Sequence, residues 1–256
     1  MNQTPSGIPD YRLLGLRDLV MSGWYNQETG ELMAGFPVSA EDVVVDVGCG
    51  DGGVSSFCAR QGAHLILADA DPERLKEAVT RLRTTPARGL EAHVTRADPL
   101  PLDDASVTRV ICTEVLEHVD DPAVFMAELV RVGRPGALYL LTVPGGGQEH
   151  VQKQVAPAYY FEKPNHIRIF DGDSFPALVE QAGLVIERTA AQGFYWSVWW
   201  ALFWQTGTTL EQNHPTLDAW ASTWKQVLDG ANGPAVKAAL DAALPKSQVI
   251  VARKPS

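Results

Sequence analysis

The sequence predicts an α/β protein with a doubly wound, mostly parallel seven-stranded sheet, an antiparallel last strand and a helical insertion before that strand. Three observations lead to this prediction. Apolar runs alternate with helical segments between Val43 and Val143, a pattern typical of right-handed crossovers and of a parallel sheet covered on both faces. A glycine-rich turn follows the first run. A long helical stretch, 193–245, separates the last two runs.

The elements follow from local signals. Asp71-Pro72 and Asp121-Pro122 each begin a helix, because Asp caps an N-terminus and Pro suits the first turn. The segment 144–170 has no clear period and is expected to be irregular. Strands are expected at Val43–Val47, His64–Asp69, Leu90–Asp98, Thr108–Glu114, Ala137–Val143, Leu184–Ala190 and Ser247–Arg253. Three parts are expected: a helical N-terminal extension (1–40), a cofactor-binding domain (41–190 with 246–256) and a Trp-rich insertion (191–245).

Composition limits the classes of function. The chain has 256 residues, 31 acidic and 21 basic, for a net charge of −10. It has no dense Lys/Arg run, which argues against nucleic acid or an anionic membrane as the main partner. Three cysteines without CxxC spacing, and an N-terminus without the pattern of a signal peptide, favour a cytoplasmic location.

The turn VVVDVGCGDGG carries the strongest chemical signal, since glycines after a buried strand let a ligand approach the backbone. Gly48, Gly50 and Gly53 also satisfy GxGxxG, and Asp69 stands where an acid would hold ribose hydroxyls. A nicotinamide-dependent oxidoreductase is therefore one interpretation. A non-catalytic relative that binds a partner through its Trp-rich surface is another.

Three features favour a different ligand. Asp46 lies two residues before the first glycine, where a buried carboxylate suits a cationic ligand and would repel a pyrophosphate. Asp98, before Pro99, can accept a hydrogen bond from an adenine amine. The last strand follows a helix, a strand and the insertion, which suits an antiparallel hairpin strand.

Four blocks together resemble the class I S-adenosylmethionine-dependent methyltransferases: VVVDVGCGDGG, LADADP, RADPLPLDDASVTRVICTEVLEHVDDP and RVGRPGALYLLTVP. They cover roughly Glu41–Ala190, and the final strand extends the match. The EVLEHV block resembles the corresponding block of the methyltransferase subgroup that acts on small molecules. The resemblance implies S-adenosylmethionine as cofactor, with S-adenosylhomocysteine as its product. It implies cofactor contacts from Asp46, Gly48, Cys49, Gly50, Asp69, Ala70, Ala97, Asp98, Pro99, Thr113 and Glu114.

Methyl transfer from a sulfonium needs alignment of acceptor, methyl group and sulfur, and a base only where a proton must leave the acceptor. No metal is expected. His166, in the irregular segment after the fifth strand, is the leading candidate for a base. His118 is a second candidate, although a structural role is favoured for it. Tyr159, Tyr160, His166, Trp199 and Trp200 are candidates for binding a small-molecule acceptor, which the Trp-rich insertion suggests is aromatic or apolar.

The segment FYWSVWWALFW, Phe194–Trp204, has no charge. It is too short for a membrane span and lies between two strands of one sheet. Its aromatic residues do not form a single helical stripe, so we expect burial on more than one side. Core packing, a lid that gives the cleft an aromatic wall, a homodimer face and a membrane-surface contact all remain open.

Overall fold

The computed structural model describes residues 10–256 and divides the chain into two compact units. The sheet unit comprises Trp24–Val143, Gly172–Ala190 and Val249–Ser256. The helical unit comprises the described residues 10–23 together with Pro144–Asp171 and Ala191–Gln248. The part of the predicted N-terminal extension before residue 10, including the segment inspected for a signal peptide, lies outside the described residues.

The elements are listed here in chain order. The strands are β1 Trp24–Asn26, β2 Glu31–Met33, β3 Phe36–Pro37, β4 Val43–Val47, β5 His64–Asp69, β6 Gly89–Val94, β7 Val107–Thr113, β8 Gly133–Pro144, β9 Val185–Gln192 and β10 Ser247–Arg253. The α-helices are α1 Tyr11–Met21, α2 Ser55–Arg60, α3 Pro72–Leu82, α4 Pro122–Val132, α5 Gly146–Val155, α6 Ser174–Gln181, α7 Phe194–Thr206, α8 Pro215–Asp229 and α9 Gly233–Ala243.

The large sheet has seven strands in the order β6-β5-β4-β7-β8-β10-β9. Strands β4 to β8 pair in parallel, with Asp46 beside both Leu67 and Ile111. Strand β10 is antiparallel to β8. The backbone N–H of Gly136, near the start of β8, donates to the Lys254 carbonyl after the end of β10, and the N–H of Gly145, after the end of β8, donates to the Lys246 carbonyl before the start of β10. The predicted fold class is therefore confirmed, including the antiparallel last strand. The reversal of strand order at β4 places a topological switch point at the carboxyl ends of β4 and β7.

The two Asp-Pro signals begin helices as predicted. The Asp71 carboxylate accepts hydrogen bonds from the backbone N–H groups of Glu73 and Arg74, and Asp121 caps α4 in the same way. Each side chain satisfies backbone donors that a helix N-terminus leaves unpaired.

Two local predictions for the sheet unit were wrong. Residues 24–37 form a three-stranded antiparallel sheet, β1-β2-β3, where helical pieces were expected. Strand β6 ends at Val94 rather than at Asp98. Ala97, with a left-handed φ of 59°, turns the chain after the strand, so Asp98 belongs to a loop that follows the sheet.

The helical unit is organised around the Trp-rich segment, which forms α7. Its core contains Tyr195, Trp199, Phe203 and Trp224, with Leu14 contributed by α1. The helical stretch expected between the last two strands is present, as the three helices α7, α8 and α9. The segment 144–170 was wrongly expected to be irregular, since α5 and a 3-10 turn at Ala158–Phe161 lie within it. Within residues 10–256, no helix combines the length and apolar character needed to cross a membrane.

Candidate cofactor site and polar helix

The turn between β4 and α2 is built on glycines with left-handed backbones. The φ angles of Gly48, Gly50 and Gly52 are 75°, 52° and 78°, and such values strain residues that have a Cβ. A Cβ on Gly48 would lie 2.3 Å from Cγ2 of Val115, and one on Gly52 would lie 3.0 Å from the Cβ of Ala78. At Gly50 the nearest atom would be 3.8 Å away. Gly48 and Gly52 therefore allow tight packing, whereas Gly50 leaves the backbone accessible to a ligand.

The pattern GxGxxG does not describe how this turn works. Gly53, the third glycine of that pattern, lacks the left-handed φ of Gly48, Gly50 and Gly52, and an added Cβ would meet only Asp51, at 3.5 Å. In a dinucleotide-binding fold the third glycine permits close packing between the helix and the sheet. Here Gly52 has the packing role, against α3. The geometry therefore weakens the nicotinamide interpretation.

Asp46, at the end of β4, is a buried carboxylate with 1% of its surface exposed. Its Oδ2 accepts a hydrogen bond from the Ser55 hydroxyl at 2.5 Å, while its Oδ1 has no hydrogen-bond partner. Burial raises the pKa of Asp46 to about 6, the Ser55 hydrogen bond opposes the rise, and the Asp69 charge adds to it. A cationic ligand would stabilise the ionised form of Asp46.

Asp69, at the end of β5, ties the turn to the sheet. Its Oδ2 accepts a hydrogen bond from the Gly50 N–H at 2.7 Å, and its Oδ1 accepts one from the Asp71 N–H at 2.8 Å. Because each carboxylate oxygen has two lone pairs, Asp69 keeps capacity for the predicted ribose contact.

The remaining predicted cofactor residues of the sheet unit lie in the loops after β5, β6 and β7. Ala70, Asp98 and Pro99 are exposed, whereas Ala97 is buried. Glu114 follows β7 with a φ of 56°, and its Oε1 accepts a hydrogen bond from the Thr142 hydroxyl at 2.9 Å. Strained backbone of this kind is concentrated at functional sites.

Thr113 is half-buried as the last residue of β7. His118 lies in the turn that follows β7, where its backbone N–H donates to the Val115 carbonyl. The His118 imidazole is 3.7 Å from the carboxylate of Glu117, whose side chain is 1% exposed. The His118 imidazole is partly buried, and the structural role that we favour for it stays a prediction.

Cys49 is not suited to act as a nucleophile. Burial, reinforced by the Asp46 and Asp69 charges, raises the pKa of its thiol well above the ordinary range. The thiols of Cys58 and Cys112 are buried with raised pKa values as well. The thiolate is the reactive form of cysteine, so all three side chains act as small apolar residues.

The helical unit brings together several of the predicted acceptor-binding residues. His166 Nδ1 lies 2.7 Å from Oε2 of Glu149, whose side chain is 1% exposed. The Tyr160 ring packs 4.5 Å from the His166 ring and 5.3 Å from Trp204. Tyr159, in contrast, is 57% exposed.

Trp199 and Trp200 have different environments on α7. Trp199 is 2% exposed and stacks on Tyr11 and Phe203. Trp200 is half-buried, beside Phe203 and Trp204. Trp199 thus belongs to the core of the helical unit, and Trp200 is the better placed of the two to contact a ligand.

Sequence reasoning missed Ser55 and Glu149, and it did not place Tyr25 near Asp46. Tyr25 has a left-handed φ of 59°, packs on Phe57, and has its pKa raised to about 12 by burial and the Asp46 charge. Ser55 lies nine positions after Asp46, at the start of α2, where a hydroxyl could have been expected to meet the carboxylate. No sequence pattern indicated that Glu149 would be buried beside His166, since the segment 144–170 was expected to be irregular.

Comparison with known proteins agrees with this geometry. A family model described as a methyltransferase domain matches residues 45–141. The chain is 34% identical, over 72% of its length, to a 2-methyl-6-phytyl-1,4-hydroquinone methyltransferase from Synechocystis. It is 41% identical, over 39% of its length, to a ubiquinone biosynthesis O-methyltransferase from Hahella chejuensis. The matches span 54% and 42% of those two proteins, so the chain covers about half the length of these relatives.

A solved structure shares the fold. The geranyl diphosphate C-methyltransferase from Streptomyces coelicolor, determined with Mg²⁺, geranyl diphosphate and S-adenosyl-L-homocysteine, superposes with a TM-score of 0.57 at 13% identity. The superposition covers 95% of this chain and 77% of that protein. Taken with the strand order and the glycine turn, these matches show that the chain belongs to the class I S-adenosylmethionine-dependent methyltransferase family.

Proposed function

We propose that this protein transfers a methyl group from S-adenosylmethionine to a small-molecule acceptor. The observation that carries the proposal is the unpartnered Oδ1 of Asp46, a buried carboxylate oxygen beside a glycine turn. A buried charge without a partner is unfavourable. A ligand that carries an ammonium or a sulfonium would remove that penalty, and S-adenosylmethionine carries both.

The residues present fit such a ligand in two further respects. The open face of Gly50 lets a ligand approach the backbone, because the nearest atom to an added Cβ would be 3.8 Å away. Asp69 is held in place by two backbone N–H groups and keeps lone pairs for hydroxyl donors. Asp46 would therefore bind the cationic part, and Asp69 would orient a ribose.

The cofactor, when bound, supplies an activated methyl group, so the work of the protein is to bind and align. Ser55 orients the Asp46 carboxylate through a hydrogen bond. The Glu114 carboxylate is fixed by Thr142 at the end of β7. Where the acceptor is a hydroxyl, a base must take its proton, and we propose His166, positioned by Glu149, for this role.

Calorimetric titration with S-adenosylmethionine, S-adenosylhomocysteine and NAD⁺ tests the cofactor. We expect the first two to bind and Asp46→Asn to weaken them at least tenfold, since the amide cannot pair with a cation. Affinity should also fall below pH 6, because a proton then competes with the ligand for Asp46.

The matched control is Asp51→Asn. Asp51 is an exposed acid in the same turn, paired with Arg81, and its change should alter affinity less than threefold. Binding of NAD⁺ alone would support the oxidoreductase interpretation. A site that binds neither cofactor at millimolar concentration would favour a non-catalytic relative.

The acceptor class and the location complete the proposal. The two relatives described above are named for hydroquinone methylation and ubiquinone biosynthesis, which supports a small-molecule acceptor for this chain too. Transfer of a labelled methyl group to a panel of phenols, amines and carboxylates would identify it. A cytoplasmic location agrees with three buried, free cysteines.

A further inference from the structure

One face of α3, defined by Arg74, Ala78 and Arg81, lies against the glycine turn that follows β4. Side chains spaced by four and three residues fall into line on a helix. In the middle of this face, the Cβ of Ala78 lies 3.0 Å from the position that a Cβ on Gly52 would take. This close packing holds α3 beside the turn, so the two arginines flank the turn on either side of Ala78.

The two arginines have different partners. Arg81 forms an ion pair with the Asp51 carboxylate, at 2.7 Å. Arg74 Nη1 is the atom nearest to the position of a Cβ on Gly50, at 3.8 Å. In the part of the chain that the structure describes, no carboxylate pairs with the Arg74 guanidinium, which is exposed. Arg74 therefore keeps an unpaired positive charge beside the glycine whose backbone is open to a ligand.

The carboxylates at this turn make such a cation useful. Asp69 accepts a hydrogen bond from the Gly50 N–H at 2.7 Å, and its charge acts on Asp46. Two acids suit the ammonium and the sulfonium of S-adenosylmethionine, but they repel its carboxylate. A guanidinium is the side chain best suited to a carboxylate, since it donates two parallel hydrogen bonds. The anionic group of the ligand would therefore find its partner in Arg74.

We propose that Arg74 binds the carboxylate of S-adenosylmethionine and of S-adenosylhomocysteine, and thereby selects ligands that carry this group. The inference rests on the proposed function and deepens it. Asp46 then meets the cationic part of the ligand, and Arg74 meets the anionic part. All of these residues belong to the sheet unit.

Calorimetric titration of the full chain with S-adenosylmethionine and with decarboxylated S-adenosylmethionine tests the role of Arg74. The second ligand lacks the carboxylate and keeps the ammonium and the sulfonium. Arg74→Met should weaken S-adenosylmethionine at least fivefold, because the carboxylate loses its cation. The same substitution should not weaken the decarboxylated ligand, which has no group for Arg74 to bind.

Arg81→Met is the matched control, since Arg81 lies on the same face of the same helix but already has an acid as partner. It should change the affinity for S-adenosylmethionine less than twofold. Arg74→Lys keeps the charge and loses the paired hydrogen bonds, so its loss of affinity should be smaller than that of Arg74→Met. Equal losses in Arg74→Met and Arg81→Met would overturn the proposal.

Thermal unfolding separates ligand binding from a structural role. Because Arg74 is exposed, Arg74→Met should leave the Tm within about 2 °C of the wild type. A lower Tm, together with equal weakening of both ligands, would mean that Arg74 only supports the turn, and the proposal would fall.

The same titrations distinguish this inference from the proposed function. If the wild type binds S-adenosylmethionine and Arg74→Met binds it equally well, the role of Arg74 is wrong and the proposed function stands. If the wild type binds neither S-adenosylmethionine nor S-adenosylhomocysteine, both proposals fall. Binding of NADP⁺ that Arg74→Met abolishes would assign the arginine to a ribose phosphate, which also overturns both.

Discussion

Asp46 in the sheet unit and Asp18 in the helical unit are both almost completely buried, at 1% and 0% exposed, but their partners differ. Asp18 lies 3.2 Å from the Lys237 ammonium and accepts a hydrogen bond from the Trp224 indole at 2.8 Å. Lys237 also pairs with Asp241 at 2.5 Å. Asp46 accepts a hydrogen bond from one hydroxyl, and within residues 10–256 no cationic side chain pairs with it.

From this difference we infer that the charge of Asp18 has a structural role, whereas the charge of Asp46 serves to bind a ligand. Burial raises the pKa of Asp18, but the Lys237 charge and the Trp224 hydrogen bond both oppose that rise. At Asp46 only the Ser55 hydrogen bond opposes it. The network around Asp18 connects α1 with α8 and α9, and its cation, Lys237, belongs to the same unit of the chain. For Asp46 we propose that a cationic ligand supplies the missing charge.

The largest effect is expected when the Asp18 network loses its cation. Lys237→Met leaves Asp18 and Asp241 buried without their ammonium, and removing one partner of a buried ion pair typically destabilises a protein by about 3–5 kcal/mol. We expect a loss of that size in the free energy of unfolding, measured with urea at pH 7.

Lys225→Met provides the control, because Lys225 and Asp229 form an ion pair with the same i,i+4 spacing on α8. That pair is partly exposed, at 29% and 39%, and such pairs contribute about 0–1 kcal/mol. If Lys237→Met and Lys225→Met lowered the free energy of unfolding equally, burial would not be the reason why the Asp18 network stabilises the fold.

The second effect has the opposite sign. Asp46→Asn should stabilise the ligand-free protein at neutral pH, because the folded state then no longer holds a buried charge. The pKa of Asp46 rises from 3.8 to about 6 on folding. At about 1.4 kcal/mol per pKa unit, this corresponds to roughly 3 kcal/mol above pH 6.

The pH dependence provides the check. Well below pH 3.8 both states of the wild type hold the proton, so the stabilities of wild type and Asp46→Asn should differ least there. As the pH rises from 4 to 6, the unfolded wild type loses its proton first and the wild type loses stability relative to the variant. Urea titrations at pH 4, 5, 6 and 7 would show a widening gap. A constant gap would mean that the charge of Asp46 is not the cause.

The sheet and its cofactor end were predictable because their signals are local. A β-branched run, the glycines and the Asp-Pro caps each specify an element within a few residues, and Asp46 was identified from its position before the first glycine. Strands β1 to β3 were missed because they are only two or three residues long. Strand β6 was extended too far because the left-handed Ala97 gives no signal in the sequence.

The helical unit was harder to predict, for two physical reasons. Helix α5 was missed because its buried face is polar, which reverses the pattern that indicates a helix. The Asp18 network was not predicted because its members are far apart in the chain; Trp224 and Asp18 are 206 positions apart. The uniform apolar character of α7 correctly indicated burial on several sides, but only the structure distinguishes Trp199 from Trp200.

The smallest effect compares two glycines of the turn beside Asp46. Gly48→Ala should lower the free energy of unfolding by about 2 kcal/mol, since it adds left-handed strain and a clash with Val115. In Gly50→Ala the added Cβ makes only an ordinary contact with Arg74, at 3.8 Å, so only strain of about 1 kcal/mol applies. Calorimetry with S-adenosylmethionine should show the reverse order, with the larger loss of affinity in Gly50→Ala. If Gly50→Ala instead bound the ligand like the wild type, the backbone at Gly50 would not be where the ligand approaches, and Asp46 would have to receive its cation from another side.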